Sequence, residues 1–341
     1  MEQKINKNDI KRILIIRYKT FGDVFISTSI FETLKKHIPE AKIYYLVQEP
    51  YHLVALNHPF LDEIITFKKV NGIDYLLSRL KLILHIRRFN FDLVIDYQNN
   101  PGTRQISFLS GAKYRIGNNY GTFHKLNNYL IEEPQNRYSG SLKFDMLEPL
   151  GINEDKWKFH FNIDDNSQKY IDEWLVNKNI THKNFIVITP GSAVEEKVWR
   201  LKYFSELGDM IHTKFGLPIV LLYAPSELHY CQIVSEHMKY KPILSEELDI
   251  VRAVALVKRA KLLICNDSAI NHISCATQTD TIAIFGNTDV EKAHKKLNPK
   301  KWSPHSIFPN HHLLYSGDIP SKDDSFGITP INVINKINEI F

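Results

Sequence analysis

Cys265-Asn266-Asp267-Ser268-Ala269-Ile270-Asn271-His272, followed by Ile284-Phe285-Gly286-Asn287-Thr288-Asp289, is the stretch that decides the fold. An apolar run, Leu262 to Ile264, stops at a small polar cluster. A helix-like segment starts there, and a second apolar run, Thr281 to Phe285, ends in Gly286. That order is strand, turn, helix, strand, with the polar residues at the carboxyl end of the first strand. Open α/β sheets bind ligands at that edge. Asp267 or Ser268 can cap the helix, and free N–H groups at a helix start favour phosphate. The segment fits either a nucleotide or nucleotide-sugar site or an ordinary capped helix in a sheet protein.

The same alternation extends in both directions. Arg12–Arg17, Lys42–Val47, Glu63–Phe67 and Phe91–Tyr97 read as strands, with helices over Val24–His37 and Tyr75–Arg88. After an Asn-, Pro- and charge-rich middle, 121–165, the pattern resumes. Strands are expected at Phe185–Thr189 and Leu217–Tyr223, and helices at Leu201–Phe215, Ser226–Met238 and Asp249–Lys258. Such alternation implies parallel sheets with helices on both faces. The chain divides into expected domains 1–165 and 166–330, then a C-terminal helix, 331–341. The stretch 292–324 reads as mostly loop.

Composition sets bounds. A chain of 341 residues with 43% hydrophobic content is long for one core and suits two. Lys+Arg total 43 and Asp+Glu 38, a difference of five, which suits anionic ligands without requiring nucleic acid. Met1 to Lys11 has no apolar signal core. No run approaches the roughly 18 apolar residues of a membrane span. Cys231, Cys265 and Cys275 are odd in number and lack metal-ligand spacing, so they read as reduced core residues of a cytoplasmic protein.

Two further loops follow strands. Arg17-Tyr18-Lys19-Thr20-Phe21-Gly22-Asp23 lacks both the dinucleotide fingerprint and the Walker A pattern, which argues against a dehydrogenase or P-loop kinase. Asp23 there is either a helix cap or a general base. Pro190-Gly191-Ser192 leads to Lys197, where loop amides and an ammonium can hold phosphate, or where Lys197 is merely a solvated lysine beside Glu195 and Glu196. Trp199 reads as packing. His272 falls one helical turn after Ser268 and can share its face, or can be a packing histidine.

In order, these motifs resemble glycosyltransferase family 9, the heptosyltransferases of lipopolysaccharide core assembly. They are Thr20-Phe21-Gly22-Asp23-Val24; Asp96-Tyr97-Gln98-Asn99 with Leu109 to Gly117; Pro190 to Trp199; Asn266 to His272; and Phe285 to Asp289. The resemblance covers most of 12–117 and 184–290. It implies a GT-B fold, α/β with two Rossmann-like domains facing across a cleft. The N-terminal domain would bind acceptor and the C-terminal domain nucleotide sugar. It also implies inverting, metal-independent transfer, with no cofactor, from a nucleotide sugar such as ADP-heptose to a lipid-linked glycan.

Carried over by residue, the resemblance makes Asp23 the catalytic base. It places Ser192, Lys197, Asp267, Ser268, Ala269 and His272 at the donor. Lys19, Thr20, Gln98, Arg104 and Arg115 would lie at the acceptor edge, with Lys113 nearby. A lipid-linked acceptor places the protein in the cytoplasm, peripheral at the inner face of the membrane. Lys292, Lys295, Lys296, Lys300 and Lys301 either attract an anionic donor or leaflet or form a solvated face. Two positions depart from the pattern: Ala269 replaces glycine and Asn287 replaces proline. The departures leave room for a rival, a catalytically silent nucleotide-sugar-binding or scaffolding protein of the same fold.

Overall fold

The computed structural model describes residues 4–132, 137–154, 156–286, 299–317 and 324–341. Asn287, Asp289, Lys292, Lys295 and Lys296 lie outside them. The chain forms two compact units, Met1–Asn162 and Ile163–Phe341.

The first unit runs β1 (Arg12–Ile16), α1 (Phe21–Ser27), α2 (Phe31–His37), β2 (Lys42–Gln48), β3 (Glu63–Phe67), α3 (Ile73–Arg88), β4 (Leu93–Asp96), α4 (Pro101–Leu109), β5 (Tyr114–Asn118), β6 (Tyr129–Ile131) and α5 (Ser139–Asp145). Its sheet is parallel, in the order β3-β2-β1-β4-β5-β6. Ile13 pairs with Ile43 on one side and Leu93 on the other. Central strands covered on both faces are apolar runs without alternation, which is why Ile13 to Ile16 are all buried.

The second unit runs α6 (Asp165–Asn177), β7 (Ile186–Thr189), α7 (Leu201–Phe215), β8 (Ile219–Leu221), α8 (Leu228–His237), β9 (Ile243–Leu244), α9 (Ile250–Arg259), β10 (Leu262–Asn266), α10 (Ala269–Ile273), β11 (Asp280–Ile284), α11 (Pro299–Trp302), β12 (His311–Leu314) and α12 (Pro330–Ile340). Its sheet order is β12-β11-β10-β7-β8-β9. Numbered within its own unit, each sheet follows the doubly wound order 3-2-1-4-5-6. The switch point lies between β1 and β4 in one unit and between β7 and β10 in the other.

Several expectations change in detail. The helix expected over 24–37 is interrupted at Thr28–Ile30 by a 3-10 turn. There Ser27 Oγ donates to the Asp23 carbonyl and Thr28 Oγ1 to that of Phe25, the hydroxyl back-bonding that bends helices. The irregular middle holds β6 and α5, and β12 lies in the stretch expected to be loop. The last helix is not separate. Val333, Ile334 and Ile337 of α12 join the core of the second unit, against α7. Asp164 caps α6 by accepting from Ser167 N at 2.9 Å. All three cysteines are buried thiols, and burial pushes Cys231 up to about 12.

Candidate active site

At the first switch point the loops after β1 and β4 are stitched together. Tyr18 N donates to Gln98 Oε1 at 3.0 Å, and Arg17 Nη1 donates to the Tyr97 carbonyl at 2.7 Å. Asp96 Oδ1 accepts from Gln98 N and Asn99 N, both at 3.0 Å. Asp96 is fully buried, and burial raises it to about 6 against the hydrogen bonds it receives from Asn99, Thr103 and Gln98.

Asp23 sits at the third position of α1. Its Oδ1 lies 2.6 Å from Arg17 Nη2, and Thr20 Oγ1 donates to its Oδ2 at 3.3 Å. Burial acts to raise its pKa. The Arg17 guanidinium, the Lys143 charge and these hydrogen bonds outweigh burial and hold it below the usual carboxylate range. Asp23 is therefore a carboxylate at neutral pH. It takes part in the helix start through Thr20, and its second oxygen meets a guanidinium that capping does not require.

The other first-unit candidates divide. Lys19 and Thr20 are exposed on the same loop, and Gln98 braces it. Arg104 is not presented at the edge. It is buried, with its guanidinium donating to the carbonyls of Tyr120 and of Thr122 (2.7 Å), so it props up that loop. Arg115 donates to the carbonyls of Leu126 at 3.0 Å and Ala112 at 2.6 Å. Lys113 pairs with Asp9 at 3.1 Å.

At the second switch point, Lys197 Nζ lies 2.5 Å from Asp267 Oδ2. Ser192 Oγ donates to the Asp267 carbonyl at 3.3 Å. Asn266 spans the same two loops, donating to the Pro190 carbonyl at 2.7 Å and accepting from Trp199 N at 3.1 Å. Ser268 occupies the cap position of α10 but makes no side-chain cap bond, and its buried hydroxyl has no partner among the described residues. Ala269 opens the helix, which is a short turn and passes into a 3-10 turn at Ser274–Ala276. His272 is buried, its ring 6.3 Å from that of Trp302. Trp199 packs, as expected: it is fully buried and Nε1 donates to the carbonyls of Ser325 and Ile328.

The structure adds groups that motif reading missed. Arg17 joins Asp23 across five intervening residues, Lys143 arrives from α5, and Glu227 stands beside the phosphate-type loop. A Cβ on Gly191 would lie 2.6 Å from Glu227 Oε2, so a larger residue there would push that side chain aside. Partial burial raises the Glu227 pKa. The spacing Arg17-x5-Asp23 was the only sequence signal for any of these. Each crevice thus gathers polar groups at a sheet's ligand edge. One holds an ionised carboxylate, and the other an ammonium, a free hydroxyl and loop amides suited to a diphosphate.

Comparison with known proteins identifies the family and the fold. The model of glycosyltransferase family 9 (heptosyltransferase) matches residues 79–306. Lipopolysaccharide heptosyltransferase 3 of Escherichia coli is 27% identical over 289 residues, 79% of this chain and 80% of that protein. Lipopolysaccharide heptosyltransferase 1 of Campylobacter coli is 24% identical over 316 residues, 85% of this chain and 88% of that one. Among solved structures, a family 9 glycosyl transferase from Veillonella parvula superposes with a TM-score of 0.87 at 22% identity, covering 99% of both chains. The Escherichia coli heptosyltransferase WaaC with ADP-2-deoxy-2-fluoro heptose gives 0.72 at 16% identity, covering 97% of this chain and 100% of that one. These structures share the fold, the GT-B class of two Rossmann-like α/β units.

Proposed function

This chain belongs to glycosyltransferase family 9, and we propose that it is an inverting, metal-independent sugar transferase using a nucleotide sugar of the ADP-heptose type. Its acceptor is a hydroxyl of a lipopolysaccharide core or similar lipid-linked glycan. The names of the Escherichia coli and Campylobacter coli relatives support that choice of sugar and acceptor.

The observation that carries the reading is the ionised Asp23 carboxylate, 2.6 Å from Arg17 at the carboxyl edge of the first sheet. In the proposed step the acceptor oxygen attacks the anomeric carbon and its proton passes to Asp23. The bond between that carbon and the diphosphate oxygen breaks on the opposite side, so configuration inverts. A carboxylate near the oxocarbenium-like carbon also lowers the barrier electrostatically. The leaving nucleoside diphosphate gains negative charge, which Lys197, the Ser268 hydroxyl and loop amides are suited to stabilise. Peripheral attachment to the inner membrane face follows from a lipid-linked acceptor. No helix among the described residues is long and apolar enough to cross a membrane.

The test is transfer from ADP-heptose to a core acceptor by wild type and Asp23→Asn. The variant should lose about 10²–10⁴-fold in kcat, the usual worth of a positioned base, and keep its ADP affinity. Undiminished transfer would remove Asp23 from the mechanism. Absence of transfer by the wild type, with ADP still bound, would favour the silent nucleotide-sugar binder.

A further inference from the structure

Helix α3 packs the buried Ile86 and the half-buried Leu82 and Ile83 against the first sheet. A second apolar row points away from it: Leu76, Leu77, Leu80 and Leu84 are 67%, 54%, 55% and 51% exposed. At 100° per residue these four span about a quarter of the helix circumference, so they form one continuous stripe. On α4, Phe108 is also half exposed, and the Leu109 carbonyl accepts from Arg87 Nη1 of α3 at 3.2 Å. A contiguous apolar surface of this kind on a globular unit marks an interaction site.

Charge identifies what covers it. Residues 68–90 carry six cations, Lys68, Lys69, Arg79, Lys81, Arg87 and Arg88, against one acid, Asp74. Lys81 and Arg88 flank the leucine stripe and are exposed. Leucines facing outward with cations on their flank match an anionic bilayer surface, where the acyl boundary takes the leucines and lipid phosphates meet the cations. The α3 face is also tied to the acceptor edge. Arg79 Nη2 donates to the Gly102 carbonyl and to Gln105 Oε1 on α4, which starts just after Gln98.

We infer that the outward face of α3 is the surface by which this protein docks on an anionic lipid bilayer, bringing the β1–β4 crevice to the membrane plane. The function of such docking rests on the lipid-linked acceptor proposed above; the docking itself does not. Exposed leucines contribute little to the fold, so Leu77→Ser/Leu80→Ser/Leu84→Ser should fold normally.

The experiment is co-sedimentation with vesicles of phosphatidylcholine alone or mixed with phosphatidylglycerol. Wild type should bind the mixed vesicles and release at high salt, and the triple variant should bind at least about tenfold more weakly. Lys81→Glu/Arg88→Glu should lose the preference for anionic vesicles. Unchanged binding by the triple variant, or no binding by wild type, overturns the inference. So does a wild-type dimer in light scattering that the triple variant abolishes, because a second copy would then cover the face. Thermal shift with ADP and transfer to a delipidated acceptor should stay at wild-type level in the triple variant. Absence of both in the wild type would count against the catalytic reading and leave the docking result standing.

Discussion

Lys197 Nζ and Asp267 Oδ2 stand 2.5 Å apart, both largely buried, joining the loop after β7 to the end of β10. Replacing Lys197 with Met leaves the Asp267 carboxylate buried beside a methyl group. Breaking a buried pair from one side costs about 3–5 kcal/mol. Lys197→Met should therefore lower both stability in urea and ADP affinity. Lys197→Met/Asp267→Asn should recover most of the stability and none of the affinity, measured by urea unfolding and titration calorimetry. Recovery of both would make the lysine purely structural.

Arg17 sets the titration of Asp23. Arg17→Met removes the strongest of the interactions that oppose burial, so the Asp23 pKa moves up from its depressed position. A base must be deprotonated to act, so the acid limb of the kcat/KM profile should shift to higher pH. The wild-type limb should lie below the usual carboxylate range. An unmoved limb would show that Asp23 does not govern the profile.

Asp96 gives a stability effect of opposite sign. Its folded pKa, about 6, lies above the ordinary 3.8, so between these values the folded state holds a proton that the unfolded state releases. Stability should therefore fall as pH rises through this window and stay lower above it, by about 3 kcal/mol at 1.36 kcal/mol per unit. Asp96→Asn keeps an oxygen for Gln98 N and Asn99 N and cannot ionise. The variant should be the more stable protein at pH 7, with the gain vanishing near pH 4, as read from urea midpoints at both values.

Trp199 is fully buried, with its indole N–H shared between two carbonyls. Trp199→Ala should cost about 3–5 kcal/mol by cavity formation and loss of those hydrogen bonds. Thermal melts should show a large drop in Tm without any change in nucleotide preference of the protein that remains folded.

The central strands were legible because burial on both faces writes them as apolar runs: Ile13 to Ile16, Ile43 to Val47, Leu262 to Cys265. The edges were not. Ile243–Leu244 and His311–Leu314 are too short to show a period, and pairing with β8 and β11 makes them strands. Motif order brought Asp23, Lys197 and Asp267 to ligand edges, since strand ends are fixed by topology. Side-chain direction is set by neighbours far along the chain, as when Arg104 turns inward to the carbonyls of Tyr120 and Thr122. The same limit applied to α3. Its leucines are spelled alike, and only the packed structure separates Leu82 from Leu80.

Among the described residues, each sheet takes its strands from one continuous half of the chain: residues 12–131 supply the first and 186–314 the second. Domains fold as units during synthesis, N-terminal first. All six strands of the first sheet are therefore made before Ile186 is added, so the ribosome completes the Asp23 crevice and the leucine face of α3 while the Lys197 loop is still unmade. Vectorial synthesis gives the newborn chain a finished first half that need not wait for the second.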